Sequence, residues 1–273
     1  MKSALPATIV VKLGGDVLEQ PTVARVAASL AQAIEHAPNT RFVVVHGGGA
    51  QVTELCQKLG LATETVAGRR ITDLATLDVL KMVVAGRLNL DLCAAFLQSG
   101  LAPVGLHAGT GVVRAAQRSP RLIAGGPSTP VDLGLVGDVT GFDQALLATL
   151  WAAGRLPVLS CLGLGDDSIL NLNADVVASR LAVDLQACAL VAVTGVGGVR
   201  RVPSDPATRM PHLTVEQAQQ AIAAGVVRGG MVAKVQEACD ALAAGVPHVH
   251  IVGPDEIATS LSTAGIVGTL MVP

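Results

Sequence analysis

The chain has 273 residues, 51% of them hydrophobic and 15% charged, with a formal net charge of −2. A chain of this length and polarity can bury a sizeable core, which excludes disorder, and it has no basic excess for a nucleic-acid partner. Its aromatic rings are Phe42, Phe96, Phe142 and Trp151, with no Tyr, so a base-stacking platform is excluded as well.

Short β-branched runs alternate with longer amphipathic Ala/Leu runs along the sequence. Residues 8–11 read as a buried strand. That run is too short for a signal peptide or a membrane span, so cytoplasmic residence is the expectation. Helical spacing follows over 23–35, a second strand over 42–45 and a helix from about 50 to 59. A long helical pattern occupies 74–98, and a strand 103–106. The Gly-, Pro- and Arg-rich stretch 108–140 breaks the alternation and reads as hairpins or an excursion from the sheet. Helices are then expected over 144–153, 174–187, 215–224 and 232–244, and strands over 157–160, 190–194, 248–252 and 269–272. Continuous apolar strands between helices predict a three-layer αβα sandwich around a mainly parallel sheet. The expected lobe boundary lies near Leu170, dividing the chain into 1–170 and 171–273.

The five cysteines, Cys56, Cys93, Cys161, Cys188 and Cys239, stand far apart. Without a Cys-x-x-Cys pair they give no zinc or redox motif, and they read as reduced, mostly buried thiols. No metal-ligand set built from protein side chains is expected.

The chemistry is concentrated at glycine turns. Lys12-Leu-Gly14-Gly15, His46-Gly-Gly48-Gly49, Thr194-Gly195-Val196-Gly-Gly198 and Gly229-Gly-Met231 each follow an apolar run. Glycine lets backbone N–H groups approach an anion, and a following helix adds its N-terminal dipole. None of these turns matches the P-loop or the dinucleotide fingerprint. Lys12 ends a strand, where α/β folds bind ligands. Lys234 sits in the first turn of a helix, a position that favours a cation only if an anionic ligand is bound. Asn171-Leu-Asn173-Ala-Asp175 opens another helix, with Asn173 suited to cap it. Two lysines, one acid and several glycine turns form a set suited to phosphoryl transfer. The set contains no general base, which favours an acceptor already ionised at neutral pH, such as a carboxylate.

Five motifs in this order and spacing resemble those of the N-acetylglutamate kinases: Lys12-Leu-Gly-Gly, Val45-His-Gly-Gly-Gly49, Gly68-Arg-Arg-Ile-Thr-Asp73, Asn171-Leu-Asn-Ala-Asp175 and Gly229-Gly-Met-Val-Ala-Lys234. Leu135-Val-Gly-Asp-Val139 and Ala264-Gly-Ile-Val-Gly-Thr269 fit less specifically. The resemblance implies an amino-acid-kinase (carbamate-kinase-like) fold and transfer of the ATP γ-phosphoryl group to the γ-carboxylate of N-acetyl-L-glutamate, in arginine biosynthesis. It implies that Lys12 and Lys234 stabilise the transferring group and that Asp175 organises both lysines. Gly14 and Gly15 would hold phosphates, with Thr194, Gly195, Val196, Gly198, Val226 and Met231 around the nucleotide. Gly48 and Gly49 would hold the acceptor, with Arg70 on its α-carboxylate and Asn171 on its acetamido end. Magnesium would be carried by the nucleotide phosphates. The N-terminal lobe would take the acceptor and dimerise; the C-terminal lobe would take ATP. A homodimer without arginine feedback is expected, since the helix that links arginine-inhibited members into hexamers has no counterpart before the first strand.

The chain departs from the family at Gly195, where Asp is usual, and in the stretches 105–111 and 201–212. Two alternatives follow: a kinase of the same fold acting on a carrier-linked aminoadipate or glutamate, or a catalytically weak nucleotide- or amino-acid-binding sensor. Arg69, Arg70, Arg114, Arg118 and Arg121 are the candidates for a carrier-binding patch.

Overall fold

The computed structural model describes residues 6–123, 125–262 and 267–273; residues 264–266 of the closing glycine motif lie outside them. The first strand, β1 (Thr8–Leu13), is buried along its whole length. It is followed by α1 (Thr22–His36), β2 (Arg41–His46) and α2 (Gly49–Lys58). A short hairpin, β3 (Thr65–Val66) and β4 (Arg69–Arg70), leads to α3 (Leu74–Leu80), a π-helical stretch Lys81–Leu88 and α4 (Asn89–Gln98). Then come β5 (Pro103–Leu106), β6 (Val113–Gln117), β7 (Gly137–Phe142), α5 (Gln144–Ala152), β8 (Leu156–Ser160), β9 (Leu162–Leu164) and β10 (Ile169–Asn171). The chain ends with α6 (Ala174–Asp184), β11 (Ala189–Val193), β12 (His212–Thr214), α7 (Val215–Ala223), α8 (Gly230–Ala243), β13 (Val249–Val252), α9 (Ile257–Ser260) and β14 (Thr269–Val272).

Eight strands form one sheet in the order β12-β14-β13-β11-β1-β2-β8-β5. The pairs from β13 through β5 are parallel, while β14 runs antiparallel to β13. Because β1 pairs with β2 on one side and β11 on the other, the sheet is continuous across both expected lobes. The boundary read at 170 falls inside β10.

Strand alternation explains the two apolar layers. Ile9, Val11 and Leu13 of β1 pack with α1, α4 and α9 on one face; Val10 packs with α6, α7 and α8 on the other. Both faces are covered, so the strands read as unbroken apolar runs. The segment 108–140 contributes to a second sheet, β10-β9-β6-β7, in which β6 and β7 pair antiparallel. The β3–β4 hairpin and residues at the ends of this sheet, Arg118 and Asn171 among them, line one cleft with the turns after β1 and β2.

Candidate active site

Parallel strands place their following turns at one edge. The turns after β1, β2 and β11, neighbours in the sheet, converge there with the N-termini of α6 and α8. The strand order diverges to either side of β1, toward β2 on one and β11 on the other, the position where open α/β sheets form their ligand crevice. A cleft of about 310 Å³ opens at this edge, lined by Lys12, Gly14, Gly15, Gly48, Gly49, Arg70, Asn171 and Asp175. All eight were expected at the site. A larger open depression of about 750 Å³ lies around Arg41, Trp151 and Arg155, at the opposite ends of the strands, and contains neither lysine.

Lys12 is buried at the end of β1 and forms an ion pair with Asp175, in the first turn of α6. Asn173 caps that helix, its side-chain oxygen accepting from the Asp175 amide at 2.7 Å and the Val176 amide at 3.2 Å. The cap fixes the helix start, and the helix dipole favours an acid in this turn. A buried ammonium requires such a partner.

On the β2 side of the cleft, the Gly47–Gly49 turn is pressed against the π-helical stretch. Gly48 has φ +154°, and a Cβ there would lie 2.4 Å from Leu88 Cδ1. The positive φ favours glycine, and any side chain there would have to displace Leu88. Arg70, on β4, donates through Nη2 to Gly49 O at 3.0 Å and Thr53 Oγ1 at 2.7 Å. Its Nη1 is buried without a protein partner. A buried cationic donor left unpaired is costly, and a carboxylate in the cleft would satisfy it. Asn171 donates to Thr72 Oγ1 at 3.0 Å.

Besides Arg70, two of the five arginines considered for a carrier-binding patch are ion-paired with one acid. Arg118 lines the cleft wall and binds Asp138 Oδ1 at 2.6 Å, and Arg121 reaches the same carboxylate at 3.4 Å.

Behind the main cleft, a small cavity is lined by Lys12, Asp175, Thr194, Lys234 and Glu237. It brings the two lysines together, but they do not share Asp175. Lys234 Nζ lies 3.7 Å from Asp16 Oδ2. Asp16 Oδ2 also accepts from the Gly195 amide at 2.8 Å. Thr194 is buried and accepts from the Gly197 amide at 3.2 Å. Val196 is exposed, with its carbonyl accepting from Arg200 Nη2 at 2.7 Å. Gly198 packs against Gly268 and Thr269. Val226 and Met231 are half-buried against the core beside α7 and α8. These last four residues line neither the cleft nor the small cavity.

Several site residues were not foreseen. Glu237 stands one turn beyond Lys234 on α8, a spacing that could have flagged it. Burial, and then the neighbouring Asp175 charge, push its carboxyl up to about 8. His46 is fully buried; burial pulls its imidazole down to about 4. Its Nδ1 lies 2.9 Å from Gly47 O and its Nε2 3.0 Å from Asn89 Nδ2. A neutral ring donating at Nδ1 and accepting at Nε2 satisfies both contacts and braces the glycine turn. Cys161 lines the cleft, but burial pushes its thiol up to about 12 and keeps it protonated. The remaining cysteines are also free thiols.

The phosphate-cradle chemistry fits a nucleoside triphosphate: glycine turns at the ends of adjacent strands, with Lys12 at the end of β1 and Lys234 on α8. Among the described residues, no group of three or more His, Cys, Asp or Glu side chains is placed to hold a metal ion. No described helix is long and apolar enough to cross a membrane.

The sequence profile of the amino acid kinase family matches residues 7–253. A protein from Sorangium cellulosum named acetylglutamate kinase is 49% identical over 270 residues, covering 97% of this chain and 94% of its own length. One of the same name from Symbiobacterium thermophilum is 36% identical over 272 residues, covering 97% and 91%. Among solved structures, N-acetylglutamate synthase from Neisseria gonorrhoeae, complexed with coenzyme A and N-acetyl-glutamate, superposes with a TM-score of 0.79 at 24% identity, over 98% of this chain and 60% of its own. Giardia carbamate kinase superposes with a TM-score of 0.66 at 17% identity, over 97% and 98%. The structural matches share the fold. The family profile and the near-full-length relatives go further, and they place the chain in the amino acid kinase family, among its acetylglutamate kinases.

Proposed function

We propose that the cleft transfers the γ-phosphoryl group of ATP to the γ-carboxylate of N-acetyl-L-glutamate, giving N-acetylglutamyl 5-phosphate, a step of arginine biosynthesis. A γ-carboxylate oxygen forms the new bond to phosphorus as the bond to ADP breaks. The acceptor enters ionised, so no general base is needed. Lys12 and Lys234 draw charge from the transferring oxygens, and Asp175 holds Lys12 in place. Gly14 and Gly15 offer backbone donors to the phosphates. Arg70 clamps the acceptor α-carboxylate, while Gly48, Gly49 and Asn171 hold the rest of it.

The observation that carries this reading is the buried, unpartnered Nη1 of Arg70 in the same cleft as the Lys12–Asp175 pair. It leaves one cationic donor for a substrate carboxylate in the cleft that Lys12 also lines.

The acceptor would sit on residues 1–170. ATP would sit on 171–273, around Thr194–Gly198 and near Val226 and Met231. Magnesium, held chiefly by the nucleotide phosphates, would neutralise developing charge there. A homodimer is supported by exposed Leu74, Met82, Leu90 and Leu97 along one helical segment. Function as a cytoplasmic enzyme accords with the biosynthetic role.

The test is hydroxylamine trapping of acyl phosphate with ATP, magnesium and four acceptors: N-acetylglutamate, glutamate, aminoadipate and carbamate. Hydroxamate formed fastest from N-acetylglutamate supports the reading. Preference for another acceptor, or none, removes it.

A further inference from the structure

Asp16 and Gly195 are far apart in sequence but adjacent at the cleft edge. The pairing of β1 with β11 sets this, with Leu13 opposite Val193. The two turns are stitched together twice. The Gly14 amide donates to Val193 O at 3.3 Å, and the Gly195 amide donates to Asp16 Oδ2 at 2.8 Å. The same Oδ2 lies 3.7 Å from Lys234 Nζ.

The carboxylate occupies space that glycine leaves open on both sides. A Cβ at position 14 would meet Asp16 Oδ1 at 2.3 Å, and one at 195 would meet Oδ2 at 3.2 Å. The Asp16 side chain is 45% exposed, and its contacts to the Gly195 amide and Lys234 set its direction. Each lysine of the small cavity thus has its own acid, Asp175 for Lys12 and Asp16 for Lys234. Two ammonium groups around one cavity repel each other, and an acid on each fixes where it points.

We propose that Asp16 is a positioning residue that orients Lys234 toward the phosphoryl group, and that it can do so because position 195 is glycine. It acts through Lys234 and does not touch the reacting atoms. The inference rests on the phosphoryl-transfer reading above. An acid placed at 195 would crowd and repel the Asp16 carboxylate, so the two positions form one coupled unit.

The experiment is a pair of double-mutant cycles on the full chain, reading kcat, the KM for ATP and thermal unfolding. Asp16→Asn keeps an oxygen for the Gly195 amide but removes the charge facing Lys234. It is expected to lower kcat about ten-fold, with the KM for ATP changed less than about three-fold. In a Lys234→Ala background the same change is expected to cost nothing further, whereas a merely structural role would still cost activity. Gly195→Asp alone is expected to lower kcat about ten-fold, and added to Asp16→Asn it is expected to cost much less than that, because the carboxylate it would displace is already gone. Asp16→Asn with kcat within two-fold of wild type, an undiminished effect without Lys234, or a shift confined to the magnesium dependence would each overturn the proposal. If Gly195→Asp fails to fold, the Asp16–Lys234 cycle decides alone. If Lys234→Ala itself retains full kcat, the phosphoryl-transfer assignment of that lysine fails, a result distinct from failure of the Asp16 role.

Discussion

Lys12, the last but one residue of β1, is buried and ion-paired with Asp175 in the first turn of α6. The pair joins the sheet to a helix N-terminus at the cleft edge, and it anchors the ammonium where a phosphoryl group would meet it. Lys12→Ala is expected to lower kcat about 100-fold or more while the KM for ATP stays within a few-fold, because a preorganised cation acts on transition-state charge. Steady-state kinetics on a variant with native circular dichroism checks this. A kcat within a few-fold of wild type assigns Lys12 to structure alone.

Arg70 holds Gly49 and Thr53 through Nη2, and its Nη1 has no protein partner; the proposed function gives that nitrogen to the acceptor carboxylate. Arg70→Lys cannot span both functions with one point charge. It is expected to raise the KM for N-acetylglutamate about ten-fold and leave the KM for ATP unchanged. An unchanged acceptor KM would take Arg70 out of the site.

Much of this site was legible because its residues are punctuation. A lysine ending an apolar strand before two glycines stands out, as does Asn173 ahead of an apolar helix. Strands such as Pro103–Leu106 and Thr269–Val272 match their expected bounds. What was not legible depends on contacts or hydrogen-bond register. The Asp16–Gly195 bond follows from strand order, which no local pattern encodes. The π-helical stretch within 74–98 shares the apolar spacing of the α-helix around it. The antiparallel direction of β14 leaves no mark in an apolar run that would suit either direction. The second sheet was visible only as an excursion, because its strands are short and interrupted by Gly and Arg.

His46 makes stability depend on acid. Its folded value of about 4 lies below the ordinary 6.5, so between these values the unfolded chain binds the extra proton and stability is lost as pH falls. Burial lowers His250 to about 4 as well, and it acts in the same direction. For His46 the full loss is on the order of 3 kcal/mol. Urea unfolding at pH 7 and pH 4.5 should show a smaller drop for His46→Gln than for wild type. Equal drops would mean that His46 is not buried neutral.

Glu237 has the opposite sign. Its folded value of about 8 lies above the ordinary 4.5, so stability falls as pH rises through that window. Glu237→Gln is expected to raise Tm at pH 7.5, with the advantage vanishing near pH 4.5. Ionised Glu237 would also compete with Asp175 for Lys12, so wild-type kcat should decline above about pH 8 and the Gln variant should hold its plateau. Parallel pH profiles for the two proteins would contradict this role.

The central claim is that the acceptor's own carboxylate oxygen attacks the γ-phosphorus. N-acetylglutamate labelled with ¹⁸O in its γ-carboxylate, turned over with ATP and trapped by hydroxylamine, tests it directly. Hydroxylamine attacks the acyl carbon and releases phosphate that retains the bridging oxygen. The account predicts inorganic phosphate carrying one ¹⁸O in proportion to the hydroxamate formed. Unlabelled phosphate, or ADP release that does not depend on N-acetylglutamate, would contradict it.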